Sequence, residues 1–449
     1  MADTQIEQTV HDAVVIGAGA MGLAAAHHLA RAGHRPIVLE AAPDPGGMAA
    51  HSDFNGISLE RFYHFVCKTD FDTFDLMEEL GMADQMVWKS TKMGYYAHGK
   101  VHDWGNPVAL LKYPHLNPVE KFRYGLMAWW CTKRKSWDGA EQMTAPDWLR
   151  AWLGESCYQK MWQRLLHQKF FEYTDVISAS WIGTRVQRVG NSRKSLMEEQ
   201  LGHIEGGSQA LVDALMASIA AGGGEVRCSA PVSNVRVRED GLKEVTVPGS
   251  SPILTREVVS TAPLAVAGKI FEGLTEAEQQ AYASVDNIGC VCLVYHVDQP
   301  VTGKFWLNIM DEAHAIPGLI EFSALRDFGG ETIVYAPYYM PVTNERWAWS
   351  DEALLDEAFE AIKAVNPAIS ANNVKARMAN RLTHSQPICT PNFLDQLMPI
   401  ETSLPGVQIA DTCYYYPEDR GISESVGLAK RMAETAISGL SRARQVVAS

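Results

Sequence analysis

What the chain has little of already narrows its function. Eight cysteines are scattered at 67, 131, 157, 228, 290, 292, 389 and 413 with no CxxC pair. Neither a zinc site nor an iron–sulfur cluster is therefore expected, and no metal site is assigned. Buried thiols in a reducing compartment are the plain expectation for them. Positive charge is short as well: 39 Lys and Arg against 53 Asp and Glu leave a net −14. That sign argues against nucleic acid, whose phosphates need a basic face. No apolar run approaches the roughly 18 residues of a membrane span. The start, MADTQIEQTVHD, is polar and acidic and lacks the basic and apolar regions of a secretory signal. A cytoplasmic protein, at most peripheral to the inner face of a membrane, is the expectation. Internal repeats and low-complexity linkers are absent, and 449 residues exceed what one core usually fills, so two or more lobes are expected.

What the chain does have is a glycine cluster near its start. In VVIGAGAMGLAAAHHLARAGHRPIVLEA, residues 14 to 41, an apolar run suited to a buried parallel strand meets Gly17, Gly19 and Gly22. An Ala-rich helix follows to about Ala32, and Gly33 ends it. The N–H groups at the helix start, around Ala20 and Met21, and the positive end of its dipole suit a pyrophosphate. A second strand, RPIVLEA, closes at Glu40, about twenty residues on, where a carboxylate can accept from ribose hydroxyls. The same acid disfavours a 2′-phosphate, so NADP is not expected. A lone GxGxxG is weak; strand, turn, helix, strand and acid in order make a dinucleotide site. No second GxGxxG follows, so a built-in NAD(P)H domain is not expected.

Six residues beyond Glu40 stand Gly46 and Gly47, then Met48, in EAAPDPGGMAAHSDFNGISLERFYHF. This stretch resembles the amino-terminal signature of the FAD-dependent group that includes flavin amine oxidases, phytoene desaturases and protoporphyrinogen oxidases. The middle of the chain, with ERFYHF, GSQALVDAL and KFFEYTDVISASWIGTRVQR, is most similar to bacterial proteins of protoporphyrinogen-oxidase type. HIEGGSQALVDAL (203 to 215), APVSNVRV (230 to 237) and VVSTAP (258 to 263) resemble the family's return to the cofactor domain, its strand beside the adenosine and its exit. LPGVQIADTCYYYPEDRGISESVGLAKRMAETA (404 to 436) resembles its closing motif. The resemblance implies FAD as cofactor, with the glycine pair and Met48 close to pyrophosphate and flavin and Val232 beside the adenosine. It places Asp411 at the ribityl or phosphate region and has Gly421 and Ile422 start a helix under the flavin pyrimidine.

Two departures qualify the resemblance. Asp44 and Met48 stand where many amine oxidases carry arginines, which leaves phosphate neutralisation to backbone and helix dipole. The strand NIGCVCLVYHV (287 to 297) has no lysine, whereas amine oxidases commonly hold one there near the flavin N5, and this counts against simple amine oxidation.

The placed segments imply an α/β fold. A Rossmann-type FAD-binding domain draws on 1–66, 200–264 and 400–449, and a mixed-sheet plus helical substrate domain on 67–199 and 265–399. In the first insertion DFDTFDLMEELGM, NPVEKFRYGLMAWWCTKRK, TAPDWLRAWLG and SCYQKMWQRLLHQKFF read as helices. In the second, CVCLVYHV and ETIVYAPYYM read as strands and DEALLDEAFEAIKAV as a helix.

Flavin supplies the redox chemistry and the protein supplies position and electrostatics. The catalytic candidates are His64, as acid or base near neutral pH, and Arg420, facing a reduced flavin or an anionic substrate. A histidine bonded only to backbone and an arginine paired with Glu418 or Asp419 are the structural alternatives. Arg61 and Tyr63 are expected to turn with His64 toward the ring or the substrate mouth, and Tyr414, Tyr415 and Tyr416 to supply aromatic walls or core. Cys389 stands near where some amine oxidases attach flavin, among neighbours that do not match that motif. The expected activity is removal of hydride from a C–C or C–N unit of a fairly apolar small molecule. The alternative is a non-redox flavoenzyme resembling UDP-galactopyranose mutase, acting on a nucleotide- or lipid-linked sugar, with Arg164, Arg185, Arg188 and Arg193 as diphosphate candidates.

The stretch 110–137 is the exception to the acidic balance: from Lys112 to Lys135 it holds six cations and one acid, Glu120. A helix over 118–135 would line up Phe122, Leu126, Trp129 and Trp130, with cations at both ends, as an interfacial helix does on anionic lipid. Packing of that aromatic side into the core is the plainer expectation. The composition leaves the oligomeric state open.

Overall fold

A computed structural model describes residues 9 to 448. The first eight residues, on which the reading of the amino terminus partly rests, lie outside the described residues.

The run Ala13-Val14-Val15-Ile16 offers water no polar side, and it is buried on both faces inside a seven-stranded sheet. The spatial order of that sheet is 225–227, 36–39, 10–16, 253–260, 243–246 and 234–237, with 407–409 also paired to 253–260. The strands 225–227, 36–39, 10–16, 253–260 and 407–409 run parallel, and the hairpin 234–246 is antiparallel. One face is covered by three helices, Ala20–Arg31, Ser208–Ala221 and Ile422–Ala448, whose Leu23, Leu211, Leu215, Val426 and Met432 share a core with Val15, Val38 and Val259.

A second seven-stranded sheet is mixed, in the order 374–387, 287–297, 332–340, 318–321, 306–309, 93–97 and 100–104. Side chains alternate faces along a strand, and here that decides what meets the site. Val291, Leu293 and Tyr295 pack against the helix Asp351–Val365 on one face, while Cys290 and Cys292 turn to the other with Tyr335 and Tyr339. That second face shares a core with the helices Pro118–Lys133, Ala145–Leu153, Arg164–Phe170 and Ala179–Asn191 through Met127, Leu149, Phe170 and Trp181. The starts of three expected helices carry side-chain caps: Asn117 in a capping box with Glu120, Thr144, and Ser350. Among the described residues no helix is long and apolar enough to cross a membrane.

Candidate active site

The loops at the carboxyl ends of the parallel strands open into a cleft of about 610 Å³ that runs on to the inner face of the mixed sheet. Gly17 turns the chain out of its strand at φ +99°, and Gly22 packs so closely that a Cβ there would collide with the Gly17 carbonyl. Gly22 is accordingly the one glycine of the first motif that does not face the cleft. Gly19, by contrast, has extended backbone and no protein atom within 4 Å of where its Cβ would stand. No side chain caps the helix it begins, so the N–H groups of Ala20 and Met21 open on the cleft. The second pair is locked in: Gly46 and Gly47 both have positive φ, the Gly46 N–H donates to the Ala18 carbonyl at 2.7 Å, and a Cβ on Gly47 would lie 3.1 Å from Gly19 Cα.

Glu40 and Val232 line the same end of the cleft, with Met48 nearby. The Glu40 carboxylate accepts from the N–H groups of Ala18 (2.7 Å) and Ala42 (2.8 Å), which aims it, and its remaining lone pairs suit a ribose. Asp411 accepts from Leu264 N–H and Cys413 N–H, both at 2.9 Å, and so braces two helix starts beside the cleft. Gly421 and Ile422 follow at the start of the last helix. An uncapped helix start, bare glycine backbone and an aimed carboxylate are the donors and acceptors that FAD requires, so the residues present fit it.

Beyond the glycines the cleft changes character. Tyr63 hydroxyl meets Tyr339 hydroxyl at 3.1 Å, and the Tyr63 ring lies edge-on to Trp306 at 5.6 Å. Arg420 donates to the Ser385 carbonyl (2.6 Å) and Gln386 Oε1 (2.9 Å), and neither Glu418 nor Asp419 is its partner. Asp419 instead pairs with Arg185. Burial would raise the Asp419 carboxyl, but the surrounding positive charge, the Arg185 guanidinium first, outweighs it and holds it down to about 2. Burial also opposes a Cys290 thiolate, yet a hydrogen bond from Cys292 and the charge of Arg420 bring it below the ordinary thiol range.

Several expectations need correction. His64 faces the cleft, but burial pulls it down to about 4, so near neutral pH it is a neutral imidazole and not a protonated acid. Arg61 does not reach the cleft: it turns back to Asp44 (2.6 Å) and Ser52 Oγ (2.8 Å), because a carboxylate stands beside it where many amine oxidases have an arginine. Of the three tyrosines only Tyr415 lines the cleft; Tyr414 bonds the Met398 carbonyl and Tyr416 the Ser178 hydroxyl. Cys389 is buried away from the cleft lining. Arg164 and Arg193 bond the carbonyls of His314 and Gly105, while Arg185 and Arg188 face the cleft with Asp419 and Asp70 already in hand. Among the described residues no free arginine pair awaits a diphosphate there.

Sequence reasoning missed Lys169, Cys290, Cys292, Trp306 and Tyr339, all on the cleft wall. Lys169 matters most, since the expected absence of a lysine rested on strand 287–297 alone, and this lysine arrives from the helix Arg164–Phe170. Its signal was its place three residues after Leu166, which is buried, so that both lie toward the inward side of that helix.

A dinucleotide cleft at the strand ends joined to an aromatic chamber on a second sheet is the arrangement of a flavin-binding protein of the α/β class. The chain belongs to the flavin containing amine oxidoreductase family, whose description matches residues 22 to 383, and its cofactor is FAD. It is 27% identical over 244 residues to the 15-cis-phytoene desaturase of Synechococcus elongatus, covering 50% of this chain and 51% of that one. A segment of 83 residues is 40% identical to the enzyme of the same name from Narcissus pseudonarcissus, 18% of this chain and 15% of that one. The chain thus spans about half the length of the first of these curated relatives and far less of the second. In fold it is similar to cyclohexylamine oxidase from Brevibacterium oxydans, with TM-score 0.72 and 17% identity over 96% of this chain and 100% of the other. A protein from Exiguobacterium described as a protoporphyrinogen oxidase gives TM-score 0.73 and 18% identity over 96% and 99%. Nothing in these comparisons supports the sugar-mutase alternative.

Proposed function

We propose that the protein removes a hydride and a proton from a C–C or C–N unit of a largely apolar small molecule, with segments 1–66, 200–264 and 400–449 holding the FAD and the two insertions holding the substrate. The observation that carries this reading is the chamber itself: Tyr63, Phe65, Trp306 and Tyr339 wall the end of the cleft beyond the glycines, as an apolar substrate requires. Arg420 and His64 face that chamber and are the residues we assign to it, Arg420 to balance negative charge on reduced flavin and His64 as a neutral hydrogen-bonding group. Anaerobic mixing with amines such as cyclohexylamine and, separately, with a polyene precursor such as phytoene tests the reading. Bleaching of the flavin absorbance by one of them supports it; a flavin that none of them reduces counts against it.

The route by which such a substrate arrives is suggested by an outward face. Val108, Leu111, Val119, Phe122, Leu126 and Trp129 are all exposed, Phe122 by 69% and Trp129 by 58%. Four of them recur at 119, 122, 126 and 129 along the helix Pro118–Lys133, on one side of it. Trp130, expected on that side, packs inward 4.9 Å from Trp152, and Val119 takes its place. With Lys112, Lys121, Lys133 and Lys135 around it, this apolar strip suits an anionic bilayer. Co-sedimentation with vesicles that rises with anionic lipid and falls when Phe122 and Trp129 are changed to Ser supports this face; a protein that stays in the supernatant at low salt excludes it.

A further inference from the structure

The four cations on the wall of the aromatic chamber are not in the same state. Arg185 holds Asp419, Arg188 holds Asp70, and Arg420 holds the Ser385 carbonyl and Gln386. For Lys169 Nζ no hydrogen-bond or ion-pair partner is found among the described residues. It ends among rings, 4.7 Å from the centroid of Trp181 and 4.9 Å from that of Tyr339, on the cleft wall.

We propose that Lys169 is the proton acceptor of this site: its unpartnered amine takes the proton that the substrate gives up on oxidation. The proposal deepens the function argued above and rests on it for the oxidation step. Five charged or titratable groups face this amine: Arg185 from the helix Ala179–Asn191, Asp419 and Arg420 from the loop before the last helix, Cys290 from strand 287–297 and Tyr339 from strand 332–340. Asp419 is the fixed anion among them, and it is committed to Arg185. Ring faces attract an ammonium but do not replace its water, and two guanidiniums repel it. Burial first, and the Arg185 charge second, accordingly hold Lys169 well below the ordinary lysine range.

The proton balance is simple for either kind of donor. An ammonium substrate gives one N–H proton to the Nζ lone pair and becomes a free amine. A hydride then leaves the neighbouring carbon with its electron pair for the FAD, and an iminium remains. For a C–C unit the hydride leaves one carbon, the adjacent carbon gives its proton to Nζ, and the C–H electrons become the double bond. In both cases the substrate is oxidised by two electrons, the flavin is reduced by two, and the Lys169 ammonium returns its proton to water.

The test needs no substrate. FAD-loaded protein is acetylated with acetic anhydride across about pH 6 to 10, and Lys169 is followed by mass spectrometry beside the exposed Lys100. Lys169 labelling should rise at least about one pH unit below Lys100, a roughly tenfold excess at about pH 8 after each is scaled to its plateau. Labelling in step with Lys100, or none at any pH, overturns the proposal. With a donor that bleaches the parent, Lys169→Met and Lys169→Arg should both keep FAD and both slow bleaching by roughly 10²–10⁴-fold, since arginine keeps a charge and is no base. A Lys169→Arg variant as fast as the parent also overturns it. If no donor bleaches the parent, the function proposed above fails while the labelling still decides the state of Lys169.

Discussion

At one end of the cleft Gly19, Gly46 and Gly47 bring bare backbone to the surface; at the other Lys169, Arg185, Asp419 and Arg420 stand among Tyr63, Trp306 and Tyr339. The first end is made by leaving side chains out, and most of its residues come from one stretch of about thirty residues. The second is made by bringing side chains in, from the segment around residue 63, a helix ending at 170, another beginning at 179, two strands beyond 300 and a loop near 420. A site of backbone N–H groups and one carboxylate serves a cofactor whose pyrophosphate and ribose do not vary. A site of side chains can be retuned at each contributing segment, which is where differences among relatives sharing this fold would reside.

Substitution at the two helix-start glycines separates folding from cofactor binding. Gly22→Val should cost more than about 4 kcal/mol in urea unfolding of the apoprotein, because the new side chain strikes the Gly17 carbonyl, which cannot move without the strand. A well-folded variant would show that this end tolerates side chains and would dissolve the contrast. Gly19→Val should leave apoprotein stability within about 1 kcal/mol, since its φ of −70° suits any residue and its Cβ meets no protein atom within 4 Å. FAD titration of the same variant should show affinity weaker by about 100-fold or more, about 3 kcal/mol, because the valine fills space meant for pyrophosphate. Unchanged affinity would remove Gly19 from the binding surface.

At the other end the expected effect is smaller and depends on pH. Asp419 has its carboxyl held at about 2 against an ordinary 3.8, with 15% of the side chain exposed. A depressed carboxyl stabilises the fold above its unfolded value, and the contribution is lost as pH falls through the folded one. Asp419→Asn should therefore lower stability by about 2 kcal/mol at neutral pH, and the gap from the parent should close between about pH 4 and about pH 2. A gap that persists at low pH would mean that Asp419 acts through packing and not through its charge.

The legibility of the two ends differs for the same reason. Gly17 is dictated by its positive φ and Gly22 by the Gly17 carbonyl beside it, so a short window shows strand, turn and helix without knowledge of the rest. The helix Asp351–Val365 was legible in the same way, from its spacing, and the structure adds a Ser350 cap at its start. Arg61 was misplaced because its neighbour Asp44 offered a closer charge than the cleft did. Lys169 was missed because a lysine beside two phenylalanines at a helix end looks like a solvated terminus until the sheet it faces is known. The strip on the helix Pro118–Lys133 shows both outcomes at once: its charge and helical period were plain, yet which aromatic rings turned inward depended on Trp137, Trp148 and Trp152 waiting on one side.

By itself, then, the sequence determined the glycine-built cofactor end, the α/β class and the main helices and strands. These follow from constraints acting over a few residues: a backbone angle, a side-chain period, a cap. Only the tertiary structure decided which ionisable groups share the substrate chamber and in what state. The charge of Lys169, Cys290, His64 or Asp419 depends on how much water each has lost and on which charges from distant segments stand beside it. Neither quantity exists until the mixed sheet and the helices over it have packed together.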